Sequence, residues 1–323
     1  MRLLIGAILT FALSGGVLAG CASGGSSLQP SAATAPSQSG ALPDAAGARS
    51  LVYVSDQLQK SVLAFPASEH AKNPAPSETL DLGVIPEGVW VDRAGILYVA
   101  LFPKDPSQFG KIEEFKPGMT SPFRTITDGI GAPSFLVVDQ KGTLYVDQTY
   151  DLSVQILEYP AGKTSPSVTF QITEKGEGFG GPMTLDAHGN LYVHTFFIDN
   201  PPSKVYRFQR GQTKPQDLQL SGLGDATGLT SDKFGNLYVA DAKGGISVYA
   251  SGQQSPNREI LPPSNSLFGD FVATRSGKLY VAQGESPSAA SLLEYALGGA
   301  QPVNVLSGHL RAPLVPALQA AAF

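Results

Sequence analysis

The sequence predicts an all-β fold, and three observations support this prediction. A Leu-Tyr-Val motif occurs five times, with a sixth copy that reads Leu51-Val52-Tyr53-Val54, and the successive tyrosines of the six copies are separated by 45, 47, 47, 46 and 42 residues. The chain contains 36 Gly and 25 Pro and only 15% charged residues, which favours short strands joined by turns. Residues 311–318 repeat the pattern of residues 131–138. Because the spacing between successive tyrosines is the length of one four-stranded blade, we expect a six-bladed β-propeller over residues 49–323. The six tyrosines are Tyr53, Tyr98, Tyr145, Tyr192, Tyr238 and Tyr280.

Each repeat is predicted to hold four antiparallel strands. An apolar strand leads into an Asp-x-x-Gly turn, the Leu-Tyr-Val strand follows, and then come a third strand and a proline-containing outer strand. In such a turn the carboxylate accepts hydrogen bonds from nearby backbone N–H groups, and glycine takes the positive φ. We therefore interpret these aspartates as structural rather than catalytic. Proline suits the outer strand, because that strand is a sheet edge.

The two ends of the chain are predicted to share one blade. The polar segment before Leu51 contains no apolar run that could form an innermost strand for the first repeat. Residues 311–318 provide the start of a surplus repeat at the other end. We expect this C-terminal strand to complete the N-terminal blade and close the ring, since an open ring would expose apolar faces and a strand edge.

The N-terminal residues have the pattern of a bacterial lipoprotein signal peptide. Arg2 is followed by an apolar stretch, and Leu18-Ala19-Gly20-Cys21 matches the lipobox. Since Cys21 is the one cysteine of the chain, we expect residues 1–20 to be cleaved and Cys21 to be acylated. Each buried methylene contributes about 0.8 kcal/mol, so two or three acyl chains hold a protein on a membrane. The alternative is an ordinary export signal with an unrelated cysteine.

Composition narrows the location and the partners. Residues 21–48 are rich in Ser, Gly, Ala and Pro and are expected to form a disordered tether. Ala22 and Ser23 after the cysteine suggest delivery to the outer membrane, if the host is Gram-negative. The net charge of −5 and the absence of Lys/Arg runs argue against nucleic-acid binding. We expect an extracytoplasmic, lipid-anchored monomer on the bacterial cell envelope.

The repeat resembles the NHL-type and gluconolactonase-like six-bladed propellers over residues 50–323. The matching segments are Pro86-Glu87-Gly88-Val89-Trp90-Val91-Asp92 and Gly235-Asn236-Leu237-Tyr238-Val239-Ala240-Asp241. The resemblance implies the fold, whereas such propellers serve as lactonases, lyases, receptor domains and binding scaffolds. Gluconolactonase-like enzymes hold one divalent cation with Glu, Asn and Asp at the channel mouth. Here Trp90 follows Glu87 one residue earlier than in the family, and Asn is missing from the equivalent positions.

Any site is expected on the face formed by the loops that precede the innermost strands and follow the second strands. Alignment of the repeats places one residue of each blade at the strand entrances, namely Glu87, Ser134, Gly181, Thr227, Asp270 and Leu314. It places another after each second strand, namely Asp56, Leu101, Gln148, His194, Asp241 and Gln283. His194 is interpreted either as a ligand contact or as a packed histidine beneath an apolar loop, and Glu87 either as a metal ligand or as a solvated loop carboxylate. Leu101, Phe102, Pro103 and Phe109 form an exposed-aromatic candidate. The candidate ligand-binding residues are Glu87, Ser134, His194, Thr227, Asp225, Asp241 and Asp270.

Two functions remain open. The first is a binding module, without a catalytic residue or cofactor, for a protein, peptide or glycan. The second is a divalent-cation-dependent lactonase-type hydrolase in which Glu87 and Asp270, with Asp225 as a third carboxylate, hold Ca²⁺ or another divalent cation.

Overall fold

The computed structural model describes residues 51–67, 73–103, 105, 108–150, 153–172, 178–197, 203–224, 226–241, 245–261, 268–274, 278–284, 290–296 and 298–318. These residues belong to one compact unit, Ala48–Phe323. The predicted signal peptide, the predicted tether with Cys21, and the candidate Asp225 lie outside the described residues.

The first half of the chain forms strands β1 to β13. In blade 1, β1 to β3 are Leu51–Asp56, Ser61–Pro66 and Glu78–Asp81. In blade 2, β4 to β7 are Pro86–Val91, Leu97–Leu101, Lys111–Phe115 and Arg124–Ile126. In blade 3, β8 to β11 are Pro133–Val138, Leu144–Tyr150, Ser153–Tyr159 and Val168–Ile172. Blade 4 begins with two short strands, β12 and β13, at Gly178–Phe179 and Met183–Leu185.

The second half contains β14 to β25. Blade 4 continues with β14 to β16, which are Leu191–Phe197, Lys204–Phe208 and Pro215–Asp217. In blade 5, β17 to β20 are Ala226–Ser231, Leu237–Asp241, Gly245–Tyr249 and Arg258–Ile260; in blade 6, β21 to β24 are Phe268–Ala273, Leu279–Gln283, Ser291–Tyr295 and Pro302–Ser307. The last strand, β25, is Pro313–Leu318.

These strands form six antiparallel sheets, as the sequence predicts. Five sheets have four strands, and in blade 4 the inner strand is divided into β12 and β13, which both pair with β14. The inner strands β4, β8, β13, β17, β21 and β25 each pack against the inner strands on both sides, so the sheets close into a ring. The chain is therefore a six-bladed β-propeller.

Ring closure occurs where the sequence predicts it. Strand β25 is the inner strand of blade 1 and pairs antiparallel with β1, with Val52 opposite Leu318 and Asp56 opposite Pro313. The Asp56 carboxylate also accepts the backbone N–H groups of Arg311 at 2.6 Å and Ala312 at 3.2 Å. The two ends of the described propeller are thus joined by a strand pairing and by a buried carboxylate.

The core is divided among the junctions between blades. Six buried apolar clusters each lie mainly between two neighbouring blades, with the Leu-Tyr-Val strands contributing to both sides. The valine of each motif is at most 2% exposed. Because side chains of a strand alternate between its faces, the tyrosine faces one neighbouring blade and the following valine faces the other.

The Asp-x-x-Gly turns confirm the structural interpretation of their aspartates. Asp186 Oδ1 accepts the N–H groups of His188 and Asn190, both at 2.9 Å, and Oδ2 accepts the Tyr192 hydroxyl at 3.2 Å. The turn glycine, Gly189, has a φ of 80°. The same pair of N–H bonds occurs at Asp92, Asp139 and Asp232. Thr274 replaces the aspartate in blade 6 and accepts the N–H of Lys278 at 3.0 Å.

Candidate functional site

The candidate residues on the inner strands lie in β-bulges. In β4 the register shifts between Pro86 and Val89, and similar shifts occur in β8, β17, β21 and the pairing of β25. A bulge turns side chains away from the regular alternation and bends the strand, which suits a strand that enters a narrow channel. The candidate residues within these bulges are Glu87, Ser134, Thr227 and Asp270.

Contrary to the alignment of the repeats, Asp270 is not the residue of blade 6 that is equivalent to Glu87. Counted from the turn, the residue of blade 6 that corresponds to Glu87 is Gly269, and Asp270 corresponds to Gly88 and Phe135. Asp270 therefore lies one position deeper than predicted and lines the central channel. Counting back from the turn residue in the sequence reveals this difference, because Glu87 precedes Asp92 by the same number of residues as Gly269 precedes Thr274.

The central channel is nearly filled at this depth. Asp270, Phe135 and Val315 contribute to its wall together with a row of apolar side chains that includes Met183 and Phe271. The remaining cavity is about 20 Å³. Since a single water needs roughly 10–15 Å³ by this measure, the space accommodates about one water molecule. An organic substrate cannot enter the channel at this level without displacing side chains.

Asp270 is a buried carboxyl group held by backbone donors. Its Oδ1 accepts the N–H of Phe271 at 2.8 Å and that of Leu229, on the neighbouring blade, at 3.4 Å. A Cβ on Gly228 would lie 2.5 Å from the Phe271 ring and 3.0 Å from this oxygen, so glycine permits the two blades to approach here. Burial raises the pKa of Asp270 to about 8, which outweighs the two hydrogen bonds that favour the anion.

Glu87 is neither a solvated loop carboxylate nor a neighbour of Asp270 on an adjacent blade. It lies within β4, is 7% exposed, and its Oε1 accepts the side-chain amide of Gln57 at 3.1 Å. Gln57 follows β1, so this bond joins blades 1 and 2. Burial raises the pKa of Glu87 to about 8.

Two of the three carboxylates proposed as cation ligands, Glu87 and Asp270, lie on blades that are not adjacent, and the third, Asp225, lies outside the described residues. Glu87 is on blade 2 and Asp270 on blade 6, with the inner strand of blade 1 between them. Among the residues that the structure describes, no group of three or more His, Cys, Asp or Glu side chains is placed to hold a metal ion. The positions equivalent to Glu87 hold no Asn. They are Ser134, Gly181, Thr227, Gly269 and Leu314.

His194 also lies one position from its predicted equivalence. It follows the motif valine directly, whereas Asp56, Leu101, Gln148, Asp241 and Gln283, with which the loop-face alignment grouped it, follow one residue later. It is fully buried in β14, and neither ring nitrogen has a hydrogen-bond partner in the described part of the chain. Burial lowers the pKa of His194 to about 3, so the ring is neutral. This supports the interpretation as a packed histidine.

Asp147, at the same position of blade 3, was missed by the sequence prediction. It is 1% exposed, and neither carboxylate oxygen has a hydrogen-bond partner within the described ranges. Burial raises its pKa well above the ordinary value. The available signal was a charged residue at a position that is alanine in three of the six repeats, namely Ala100, Ala240 and Ala282.

Asp147 faces blade 4. A Cβ on Gly180, which lies between β12 and β13 of blade 4, would overlap the Asp147 carboxylate. The same end of blades 4 and 5 holds further buried hydroxyl oxygens that have no partner in the described part of the chain, those of Thr195, Ser203 and Thr227. A buried polar group without a partner lowers the free energy of unfolding by about 1–3 kcal/mol. These side chains therefore contribute less to stability than the apolar clusters do.

We expect Asp147→Ala to raise the free energy of unfolding by about 1–3 kcal/mol near neutral pH, because it removes an unpaired buried carboxyl group where other blades carry alanine. Gly180→Ala alone should lower the free energy of unfolding, and its cost should fall when Asp147 is also replaced. Urea denaturation of both single variants and the double variant measures this coupling. Additive effects of the two substitutions would contradict the contact between them.

The residue that follows the position of Asp147 and His194 has a structural role in blades 1 and 3. Gln148 Oε1 accepts the N–H of Gly131 at 2.6 Å, and its amide donates to the Gly129 carbonyl at 3.0 Å. Asp56 binds the corresponding segment of blade 1. Both therefore anchor the chain just before the inner strand of their own blade. The candidate Asp241 occupies the equivalent position in β18, and its side chain lies outside the described set.

Apolar side chains are exposed on the loop face around blades 1 and 2. Phe109 is 75% exposed, Leu58 50% and Ile85 39%. Phe102 is half-buried, and its N–H donates to the Ile85 carbonyl at 3.1 Å, whereas the predicted lip residue Leu101 is buried in β5. We call Leu58, Ile85, Phe102 and Phe109 the apolar lip. No helix among the described residues is long and apolar enough to span a membrane.

Comparison with solved structures shows what this chain is similar to in fold. No family model and no curated protein matches the chain. A chain from the crystal structure of a nidogen/laminin complex superposes with a TM-score of 0.68 at 15% sequence identity, over 85% of this chain and the whole of the other. At this identity the similarity supports the six-bladed propeller fold and does not show which residues form a site.

Proposed function

We propose that this chain is a lipid-anchored, extracytoplasmic propeller of the bacterial cell envelope that binds a protein, peptide or glycan through its loop face. The observation that carries this proposal is the contrast between a channel cavity of about 20 Å³ and the exposed apolar lip beside it. Exposed apolar side chains that cluster on a folded surface are typical of interaction sites. The similar propeller chain was crystallised in a nidogen/laminin complex, and a protein ligand of this chain would agree with that.

Substitutions on the loop face test this proposal. Phe109→Ser and Ile85→Ser should weaken binding to ligands identified on peptide and glycan arrays by about tenfold or more, the loss expected when an exposed anchor side chain is removed. Met119→Ser is the matched control, since Met119 is 56% exposed in a turn on the opposite face. Equal losses for all three variants, or none, would contradict a loop-face site.

The membrane anchor follows from the lipobox at Cys21. Metabolic labelling with a radioactive fatty acid should label the wild-type chain, and Cys21→Ala should remove both the label and the membrane fraction. An outer-membrane location, proposed from Ala22 and Ser23 for a Gram-negative host, is tested by separating the two membranes. A labelled Cys21→Ala variant would contradict acylation at this cysteine.

The alternative function is a divalent-cation-dependent hydrolase of the gluconolactonase-like class. It is favoured by two buried carboxyl groups, Glu87 and Asp270, whose pKa values are raised to about 8, since perturbed carboxyl groups cluster at functional sites. Calorimetric titration of residues 48–323 with Ca²⁺, Zn²⁺ and Mn²⁺ separates the two functions. Tight binding that is lost in Glu87→Gln would favour the hydrolase, and an absence of binding would favour the binding module.

A further inference from the structure

A groove between blades 5 and 6 lies on the face opposite the apolar lip. It borders the Asp-x-x-Gly turn of blade 5, has a volume of about 420 Å³ and is open to solvent. This volume lies within the range of small-molecule sites, roughly 300–1,000 Å³. Gly298, in the turn between β23 and β24, forms the blade 6 side. The side chains that define it are Asp232, Phe234, Asn236, Tyr238, Asn257 and Arg258.

Arg258 lacks the carboxylate partner that the equivalent residue of blade 2, Arg124, has. In blade 2, Arg124 in the outer strand pairs across the sheet with Glu114, and the guanidinium and carboxylate form a bidentate ion pair. In blade 5, Arg258 occupies the same position, but its cross-strand neighbour is Val248. Arg258 has no hydrogen-bond or ion-pair partner among the described residues. The guanidinium is therefore available to an external anion.

The carboxylates near Arg258 do not compensate for the missing partner. Asp232 already accepts the Tyr238 hydroxyl, the Asn236 side-chain amide and two backbone N–H groups. Glu259, adjacent in sequence, extends to the opposite face of the sheet, where its Oε1 would be 2.6 Å from a Cβ on Gly245. Gly298 leaves the approach open, since a Cβ there would stand 3.4 Å from Arg258 Nη1.

An aromatic ring and an amide complete the groove. Phe234 is 62% exposed, and the Lys233 ammonium lies 4.9 Å from its ring centroid. Asn257 is exposed beside Arg258. A sugar ring can place its apolar C–H face on an aromatic ring while its hydroxyls bind an amide, and a carboxylate on that sugar binds a guanidinium in two parallel hydrogen bonds.

From these observations we propose that the groove is a second binding site, which takes a carboxylate-bearing sugar residue of the hexuronate type. The carboxylate binds Arg258 with additional attraction from Lys233, the sugar ring packs on Phe234, and hydroxyls bind Asn257. This site lies on a different face from the apolar lip and does not depend on it. One sequence change, valine in place of the glutamate found in blade 2, creates the site.

Isothermal titration of the detergent-solubilised protein with a trimer of galacturonate tests the proposal, with the methyl-esterified trimer as the matched ligand without charge. We expect wild-type binding at millimolar concentration or below, and at least tenfold weaker binding of the ester. Arg258→Gln should weaken binding of the acidic trimer by the same factor. Val248→Glu should do likewise, because it supplies the carboxylate that Glu114 supplies to Arg124. Lys163→Gln, an equal charge change on blade 3, should leave binding unchanged.

Phe234→Ala separates recognition of the sugar from recognition of a carboxylate alone. It should weaken binding of the trimer and leave the weaker binding of acetate unaltered. Equal binding of the ester and the acid, an unchanged affinity in Arg258→Gln, or no binding at millimolar concentration would each overturn the proposal. Thermal melting of every variant checks that it is folded, and Arg258→Gln changes a half-buried side chain at the surface, so it stays informative if Val248→Glu does not fold.

Discussion

Removal of residues 308–323 is expected to abolish cooperative unfolding and to leave an aggregation-prone, protease-sensitive chain. Strand β25 provides the inner strand of blade 1 and packs against the inner strands of blades 2 and 6. Without it, β1 becomes an unpaired edge and the buried side chains Val315 and Ala317 are lost from the core between blades 1 and 2. Solubility, limited proteolysis and thermal melting measure the effect.

Two controls separate the strand from the rest of the terminus. A chain ending at Leu318 keeps β25 and should melt like the full-length protein. Asp56→Ala keeps the strand pairing but loses the bonds to Arg311 and Ala312, and should lower the free energy of unfolding by about 1–3 kcal/mol. A chain lacking residues 308–323 that melts cooperatively at the wild-type temperature would show that β25 does not close the ring.

The propeller is also expected to be several kcal/mol more stable at mildly acidic pH than at pH 8. Burial raises the pKa values of Glu87 and Asp270 to about 8, so the folded chain keeps two protons that the unfolded chain releases above about pH 4–4.5. The free energy of unfolding therefore falls as the pH rises from this range to about 8, and then levels off. Asp147, whose pKa is also raised, acts in the same direction.

His194 opposes this trend only at lower pH. Its pKa of about 3 means that the unfolded chain binds a proton below about pH 6.5 and the folded chain does not, which lowers the free energy of unfolding as the pH falls. One histidine is outweighed by three carboxyl groups until these are protonated in both states. We therefore expect a stability maximum at about pH 4–5.

Urea denaturation between pH 4 and 9 checks this prediction. Glu87→Gln and Asp270→Asn cannot ionise, so each should reduce the fall in the free energy of unfolding between pH 5 and 8. Glu78→Gln, which replaces an exposed carboxylate in β3, should leave the slope as in the wild type. A stability that is constant or rises between pH 5 and 8 would show that Glu87 and Asp270 are ionised in the folded chain.

The fold could be predicted from local signals because each blade repeats them. Gly189 and Asp186 specify one turn through a positive φ and two short-range hydrogen bonds, which are readable within five residues of sequence. Strand β25 was also predictable, since the residues from Pro313 onward repeat the pattern that forms β8. Six tyrosine-bearing repeats at nearly one spacing leave few alternatives to a ring of blades.

The candidate site was harder to predict, because its geometry depends on bulges and on neighbouring blades. Asp270 and His194 were each placed one position from their true equivalents, and counting from the turn residue and from the motif valine corrects both. The environment of Asp147 comes from Gly180, which is 33 residues away in the sequence and belongs to the next blade. Gln57 reaches Glu87 in the same way.

The sequence by itself determined the number of blades, their strand order, the turn chemistry and the shared first blade, because these depend on hydrogen bonds and side-chain periodicity within a repeat. Only the tertiary structure decided that the channel holds about 20 Å³, that Glu87 and Asp270 are buried, and that Arg258 lacks the carboxylate that Arg124 has. Burial and electrostatic environment are properties of the contact between blades, and residues on two different blades meet only after the ring has closed.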